Sequence, residues 1–132
     1  MPLKPADIAI LARNYTAAWC SRPGEAVAFF FTADGSSIVN GAEPTVGRRK
    51  IAEDMGAFFV EFPDLVLQMD DLRCGGNQAI FLWTLEGTHS ESGKFVRIPG
   101  WQNWLVSDER LISRADGGFD AEEYARQVAH GL

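Results

Sequence analysis

Ala79-Ile80-Phe81-Leu82-Trp83-Thr84-Leu85-Glu86-Gly87-Thr88-His89 is the stretch whose reading decides the fold. Successive strand side chains point to opposite faces. Phe81, Trp83, Leu85, Gly87 and His89 therefore share one face, and Ile80, Leu82, Thr84, Glu86 and Thr88 share the other. The first face is large and apolar and ends in an imidazole. The pattern predicts a central strand whose inner side lines a core or pocket, with His89 at the pocket's mouth.

Working outward, Gly75-Gly76-Asn77 predicts a hairpin turn that joins this strand to the one before it. That earlier strand starts after Asp64, where Leu65, Leu67 and Met69 alternate with Val66, Gln68 and Asp70. Downstream, a turn at Glu91-Ser92-Gly93 leads into a long strand over residues 94–106. Its more apolar set, Val96, Ile98, Gly100, Gln102, Trp104 and Val106, is placed inward, which leaves Arg97, Pro99, Trp101, Asn103 and Leu105 outward. Pro99-Gly100 in mid-strand predicts a bulge or bend. A last strand is expected over residues 110–116, followed by a helix over 121–130 capped by Asp120.

Upstream, the period is helical. Pro5, Asp7 and the spacing of Ile8, Leu11, Tyr15, Ala18 and Trp19 predict a first amphipathic helix, broken at Ser21-Arg22-Pro23-Gly24-Glu25. A short second helix carrying Val27, Phe30 and Phe31 is expected to close at Asp34-Gly35. A short strand over residues 36–41 places Ile38 and Asn40 on one face, and a loop runs over 41–47. Ile51, Met55, Phe58, Phe59 and Phe62 then recur as a third helix, which Pro63 ends. Helices followed by hairpin-connected strands predict an α+β fold, a curved mixed or antiparallel sheet wrapped around the N-terminal helices. A conical apolar pocket between the sheet and the first and third helices is the expected small-molecule site.

Composition narrows the partners. The 132 residues fit one domain spanning 1–132, and the 46% apolar content, with nine Phe and four Trp, is ample for a core. A net charge of −6 disfavours binding to a phosphate backbone, and no apolar run approaches the ~20 residues of a membrane span. Neither nucleic acid nor membrane is expected as a partner. The N-terminus lacks the pattern of a secretory signal, and Cys20 and Cys74 have no metal-ligand spacing. A cytoplasmic protein with reduced thiols, no metal and no cofactor is expected.

Four segments carry a family resemblance: Val46-Gly47-Arg48-Arg49-Lys50-Ile51, Glu61-Phe62-Pro63-Asp64-Leu65, Leu85-Glu86-Gly87-Thr88-His89 and Arg126-Gln127. Together with the element order they resemble the SnoaL-like branch of the nuclear transport factor 2-like superfamily. The resemblance implies the conical α+β fold and a homodimer formed through the outer sheet face. That superfamily includes polyketide cyclases, ketosteroid isomerase, limonene epoxide hydrolase, scytalone dehydratase and non-catalytic binding domains. Tyr15 falls at the place of the isomerase's tyrosine, while Asn40 and Gln102 fall where that enzyme has carboxyls. His89 matches the region of the cyclases' pocket histidine, and Asp116 is the nearby substitute for their aspartate.

The expected function is therefore binding of a small apolar molecule, with polyketide-cyclase-like or isomerase-type chemistry using His89 as general acid/base and Asp116 as its partner. Tyr15, Trp19, Asn40, Met55, Phe58, Phe62, Trp83, Gln102 and Trp104 are the candidate binding residues. Buried amides cost on the order of 1–3 kcal/mol unless hydrogen-bonded. Inward Asn40 and Gln102 thus suggest a polar, ligand-ready patch or a mutual bond. The alternative is a non-catalytic ligand-binding or dimerisation domain. In that case His89 is an ordinary hydrogen-bonded residue, Asp116 belongs to an ion pair or caps a turn at Gly117-Gly118, and Tyr15 and Trp19 are core residues.

Overall fold

The computed structural model describes residues 3–21 and 23–132. Met1 and Pro2, at the terminus read as lacking a signal, and Arg22, in the expected break at 21–25, lie outside the described residues. The chain runs α1 (Pro5–Ser21), α2 (Gly24–Ala28), β1 (Phe31–Val39), β2 (Thr45–Val46), α3 (Arg48–Glu61), β3 (Val66–Gly75), β4 (Gln78–Thr88), β5 (Phe95–Val106), β6 (Ile112–Phe119) and α4 (Ala121–His130). All six strands form one sheet in the order β2-β1-β6-β5-β4-β3. Among the described residues only β1 and β6 pair in parallel; every other pair is antiparallel. The fold is α+β with a mixed, open sheet.

The quoted stretch up to Thr88 is β4, with His89 just past its end; β4 is paired on both sides, with β3 through Val66↔Glu86 to Gly75↔Gln78 and with β5 without a break from Gln78↔Leu105 to Thr88↔Phe95. Its inner residues Ala79, Phe81 and Leu85 are buried, as are Val96, Ile98, Trp104 and Val106 of β5. Against this face pack Ile8, Leu11, Tyr15 and Trp19 of α1 and Ile51, Met55 and Phe59 of α3, in one continuous core. Asp120 accepts the Glu123 N–H at 3.1 Å, so α4 begins where its side-chain cap satisfies a free helix-end donor.

Four local features depart from the expected pattern. The second helix stops at Ala28, and Phe31 already belongs to β1. Asp34-Gly35 does not cap that helix; it lies in an irregularity of β1 between the Phe31↔Ile112 and Ser36↔Arg114 pairs, where Thr32 donates its hydroxyl to Asp34. No bulge occurs at Pro99-Gly100. Pro99 lies one residue beyond the last β5–β6 pair, Gly100↔Phe119, so its missing N–H costs that ladder nothing. Gly100 is needed for space, because a Cβ there would overlap the Trp83 indole. The last strand continues through Gly117-Gly118 to Phe119 because no turn forms there. A side chain at Gly117 would strike the Trp101 carbonyl, and one at Gly118 would strike the Asn40 amide.

Candidate functional site

Between α1, α3, α4 and the inner sheet face lies a cavity of about 60 Å³. That holds a few small-solvent-sized groups and is far below the roughly 300–1,000 Å³ of sites for drug-sized ligands. Of the residues singled out from the sequence, Tyr15 and Trp19 reach it from α1, Met55 and Phe58 from α3, Phe62 from the residue after it, and Trp83 and Gln102 from the sheet. Trp104 does not line it; it lies behind Phe81, stacked on that ring at 4.9 Å between centroids and 17° between planes. Asn40 is also elsewhere. It follows the end of β1 with φ 53°, and its side-chain oxygen takes the Phe119 N–H at 2.9 Å, pinning the end of β6.

One polar group inside this aromatic lining has a fixed orientation. Gln102 Oε1 accepts from Tyr15 Oη at 3.2 Å and from Trp104 Nε1 at 3.0 Å. An indole N–H can only donate, so the atom it meets must be the amide oxygen, and the –NH₂ group must point the other way. No described residue accepts from that –NH₂, and no buried polar side-chain atom of the described residues lacks a partner. The amide hydrogens therefore face open space in the cavity that Gln102 lines. Tyr15 is wholly buried, and burial raises its phenol above the ordinary value against smaller opposing contributions from Trp19 and Gln102. It is a hydrogen-bond donor at neutral pH.

His89 is buried at the β4–β5 turn and does not line the cavity. Its Nδ1 accepts the Ser92 backbone N–H at 3.2 Å, which makes Nε2 the protonated nitrogen of the neutral ring. Nε2 lies 3.4 Å from Glu61 Oε1, and the ring packs edge-on to Phe62 at 5.4 Å. Tyr124 of α4 donates its hydroxyl to the same Glu61 oxygen at 2.9 Å, and Ser90 gives its N–H to the Glu61 carbonyl at 2.8 Å. Burial, then the hydrogen bond to Glu61 and its charge, push the Tyr124 phenol far above its ordinary value. Glu61 thus ties α3, the turn and α4 together.

Asp116 is not the partner of His89. It pairs with Arg114 at 3.5 Å and lines an open groove on the outer sheet face together with Arg73, Ile80 and Leu105. Through Asn103 it stands level with Ile80, nine residues along β4 from His89, or roughly 30 Å at about 3.3 Å per residue. The ion-pair alternative for Asp116 is the one the geometry matches. Phe81, Phe119 and Tyr124 line the cavity but were not among the binding candidates. Inward parity with Trp83 marked Phe81, and Tyr124 sits one helical turn before Val128 on the inner side of α4. Phe119 was hidden because its strand was expected to end at residue 116. Among the described residues no group of three or more His, Cys, Asp or Glu is placed to hold a metal, and both cysteines are free thiols.

The SnoaL-like domain model matches residues 12–114. Among solved structures, a protein from Jannaschia sp. CCS1 assigned to the SnoaL-like polyketide cyclases superposes with a TM-score of 0.85, at 15% identity over 100% of this chain and 99% of its own. TsrD from Streptomyces laurentii gives 0.84, at 19% identity over 98% and 99%. A protein of ketosteroid isomerase-like fold from Catenulispora acidiphila, solved in complex with trimethylamine, gives 0.82, at 13% identity over 89% and 91%. At such identities these likenesses concern the fold alone. No curated protein matches in sequence. With the domain model covering most of its length, this chain belongs to the SnoaL-like domain family.

Proposed function

We propose that this chain binds a small, mostly apolar molecule bearing a hydrogen-bond-accepting oxygen, a short cyclic ketone for instance, and binds it without turnover. The observation that carries this reading is the Gln102 amide, held by Tyr15 and Trp104 so that its two N–H donors face an aromatic cavity. A donor in an apolar wall favours an oxygen acceptor over a hydrocarbon of the same shape, because leaving the donor unmatched wastes its interaction. The size of the cavity fits a ligand of few atoms. Among the described residues, the lining holds no carboxylate, imidazole or amine, and its two phenols are shifted away from neutrality. General acid/base work at pH 7 needs a group whose pKa lies near that pH. Both ring nitrogens of His89 are engaged elsewhere, which weighs against the cyclase-like or isomerase-like alternative.

Binding of cyclopentanone and of its isostere methylenecyclopentane, followed by Trp fluorescence or NMR, tests the proposal. Wild type should prefer the ketone by roughly tenfold, the equivalent of one net hydrogen bond. Gln102→Glu keeps an acceptor for Tyr15 and Trp104 but removes the donors, and should abolish that preference. Equal binding of the two ligands by wild type would overturn the reading, and conversion of the ketone to product would favour the enzymatic alternative.

We further propose that two copies pair through the outer sheet face. Ile80, Trp101 and Leu105 are exposed there, and its charges already match in pairs: Arg97 with Glu86 at 2.9 Å, Arg73 with Asp71 at 3.0 Å, Arg114 with Asp116. An apolar stripe among internally neutralised charges suits a second copy of itself better than a strongly charged partner.

A further inference from the structure

We infer that Trp83 determines the size of ligand this site admits. The inference rests on the binding reading above, since it concerns the same cavity. On the inner sheet face Trp83 of β4 lies in register with Gly100 of β5, and Gly100 with Phe119 of β6. The six-membered ring of the indole occupies the space that a Gly100 side chain would fill. Trp83 therefore leans across β5 and meets Phe119, ring centroids 6.3 Å apart at 64°. Phe119 in turn meets Tyr124 at 5.4 Å, and Tyr124 meets Phe62 at 6.2 Å. These four rings run from β4 across the sheet and α4 to the end of α3, and all four line the cavity.

Within that chain of rings the other members are braced. Tyr124 is held by Glu61, Phe62 is wholly buried, and Phe119 sits at the end of β6, where its own N–H is bonded to Asn40. Trp83 is only partly buried, and no described hydrogen bond fixes its indole. It is also the bulkiest of the four. Shortening it opens the space over Gly100, because the three atoms nearest to where a Gly100 side chain would begin all belong to the Trp83 indole. Trp83 thus acts as a stop that keeps the cavity to one small ring, and the bare backbone at Gly100 is the seat of that stop.

The test compares wild type with Trp83→Ala and Trp83→Leu, each checked for folding by circular dichroism. The ligands are cyclopentanone, methylenecyclopentane, the two-ring ketone α-tetralone and naphthalene. Trp83→Ala and Trp83→Leu should gain at least about tenfold in the affinity of two-ring over one-ring ligands. The gain should appear in the ketone pair and the hydrocarbon pair alike. Failure of the Gln102 reading shows as ketone and hydrocarbon binding alike at equal ring number, and leaves the ring-number comparison intact. The role of Trp83 is overturned if folded variants keep the wild-type ratio of two-ring to one-ring binding, or if folded Trp83→Leu takes neither two-ring ligand.

Discussion

Ser92 donates its backbone N–H to Nδ1 of His89, and Glu61 stands at Nε2, so the imidazole joins the β4–β5 turn to the end of α3. Replacing His89 by Ala removes both links and the packing on Phe62, and should lower stability by about 1–3 kcal/mol. Cyclopentanone affinity should stay within about twofold, since His89 does not line the cavity. A denaturant titration and a binding isotherm check the two halves separately, and a large loss of affinity at unchanged stability would return His89 to the site. Parity along residues 79–89 placed this side chain on the correct face, but its partners come from residues 61 and 92, and no periodicity within a strand predicts them. Gln102 was legible as an inward amide for the same reason of parity. Asn40 was not, because it lies beyond the end of β1, where its positive φ turns it out of the strand.

At the scale of elements, α4 shows how far local signals reach. Asp120, the helix start and the helix end stand where sequence placed them, since capping is a local matter. How α4 docks was not legible. Gln127 accepts the Arg97 N–H at 2.7 Å and donates to Glu123 at 2.8 Å, and Glu123 also takes two 2.7 Å bonds from Arg126. These bonds from Arg126 and Gln127 hold the Glu123 carboxyl down at about 2, against an ordinary 4.5. A depressed carboxylate stabilises the folded form above its unfolded pKa, and the benefit is lost as pH falls through its folded value. α4 should therefore loosen progressively between about pH 4.5 and pH 2. Amide exchange of residues 121–130 across that range measures it. Glu123→Gln should flatten the dependence, and an equally steep profile in that variant would assign the loosening to another group. β2 and the β1–β6 pairing were equally beyond local reading, because strands so short or so distant are specified by their partners.

Across the whole molecule, the two sheet faces divide the work. The inner face holds the core and the cavity, while the outer face leaves Trp101 44% exposed beside Ile80 and Leu105. Trp101→Glu should shift sedimentation toward the monomer and weaken any dimer by at least about tenfold. A wild type that sediments as a monomer across the concentrations tested would reject the pairing. The α+β class was legible because the switch from helical to alternating period at Asp64 is a property of many residues at once. The parallel pairing of β1 with β6 bears on something apart from binding, namely the order in which the chain is made. β1 is complete at Val39, yet the strand that must lie along it does not begin until Ile112. At roughly 5–20 residues per second, translation leaves one edge of β1 unpaired for several seconds. Within the β1–β6 gap of the growing chain, Phe31 and its neighbours must wait for β6 before that edge is covered, so the nascent protein carries an open strand edge, a template for association with other chains, until β6 has been made.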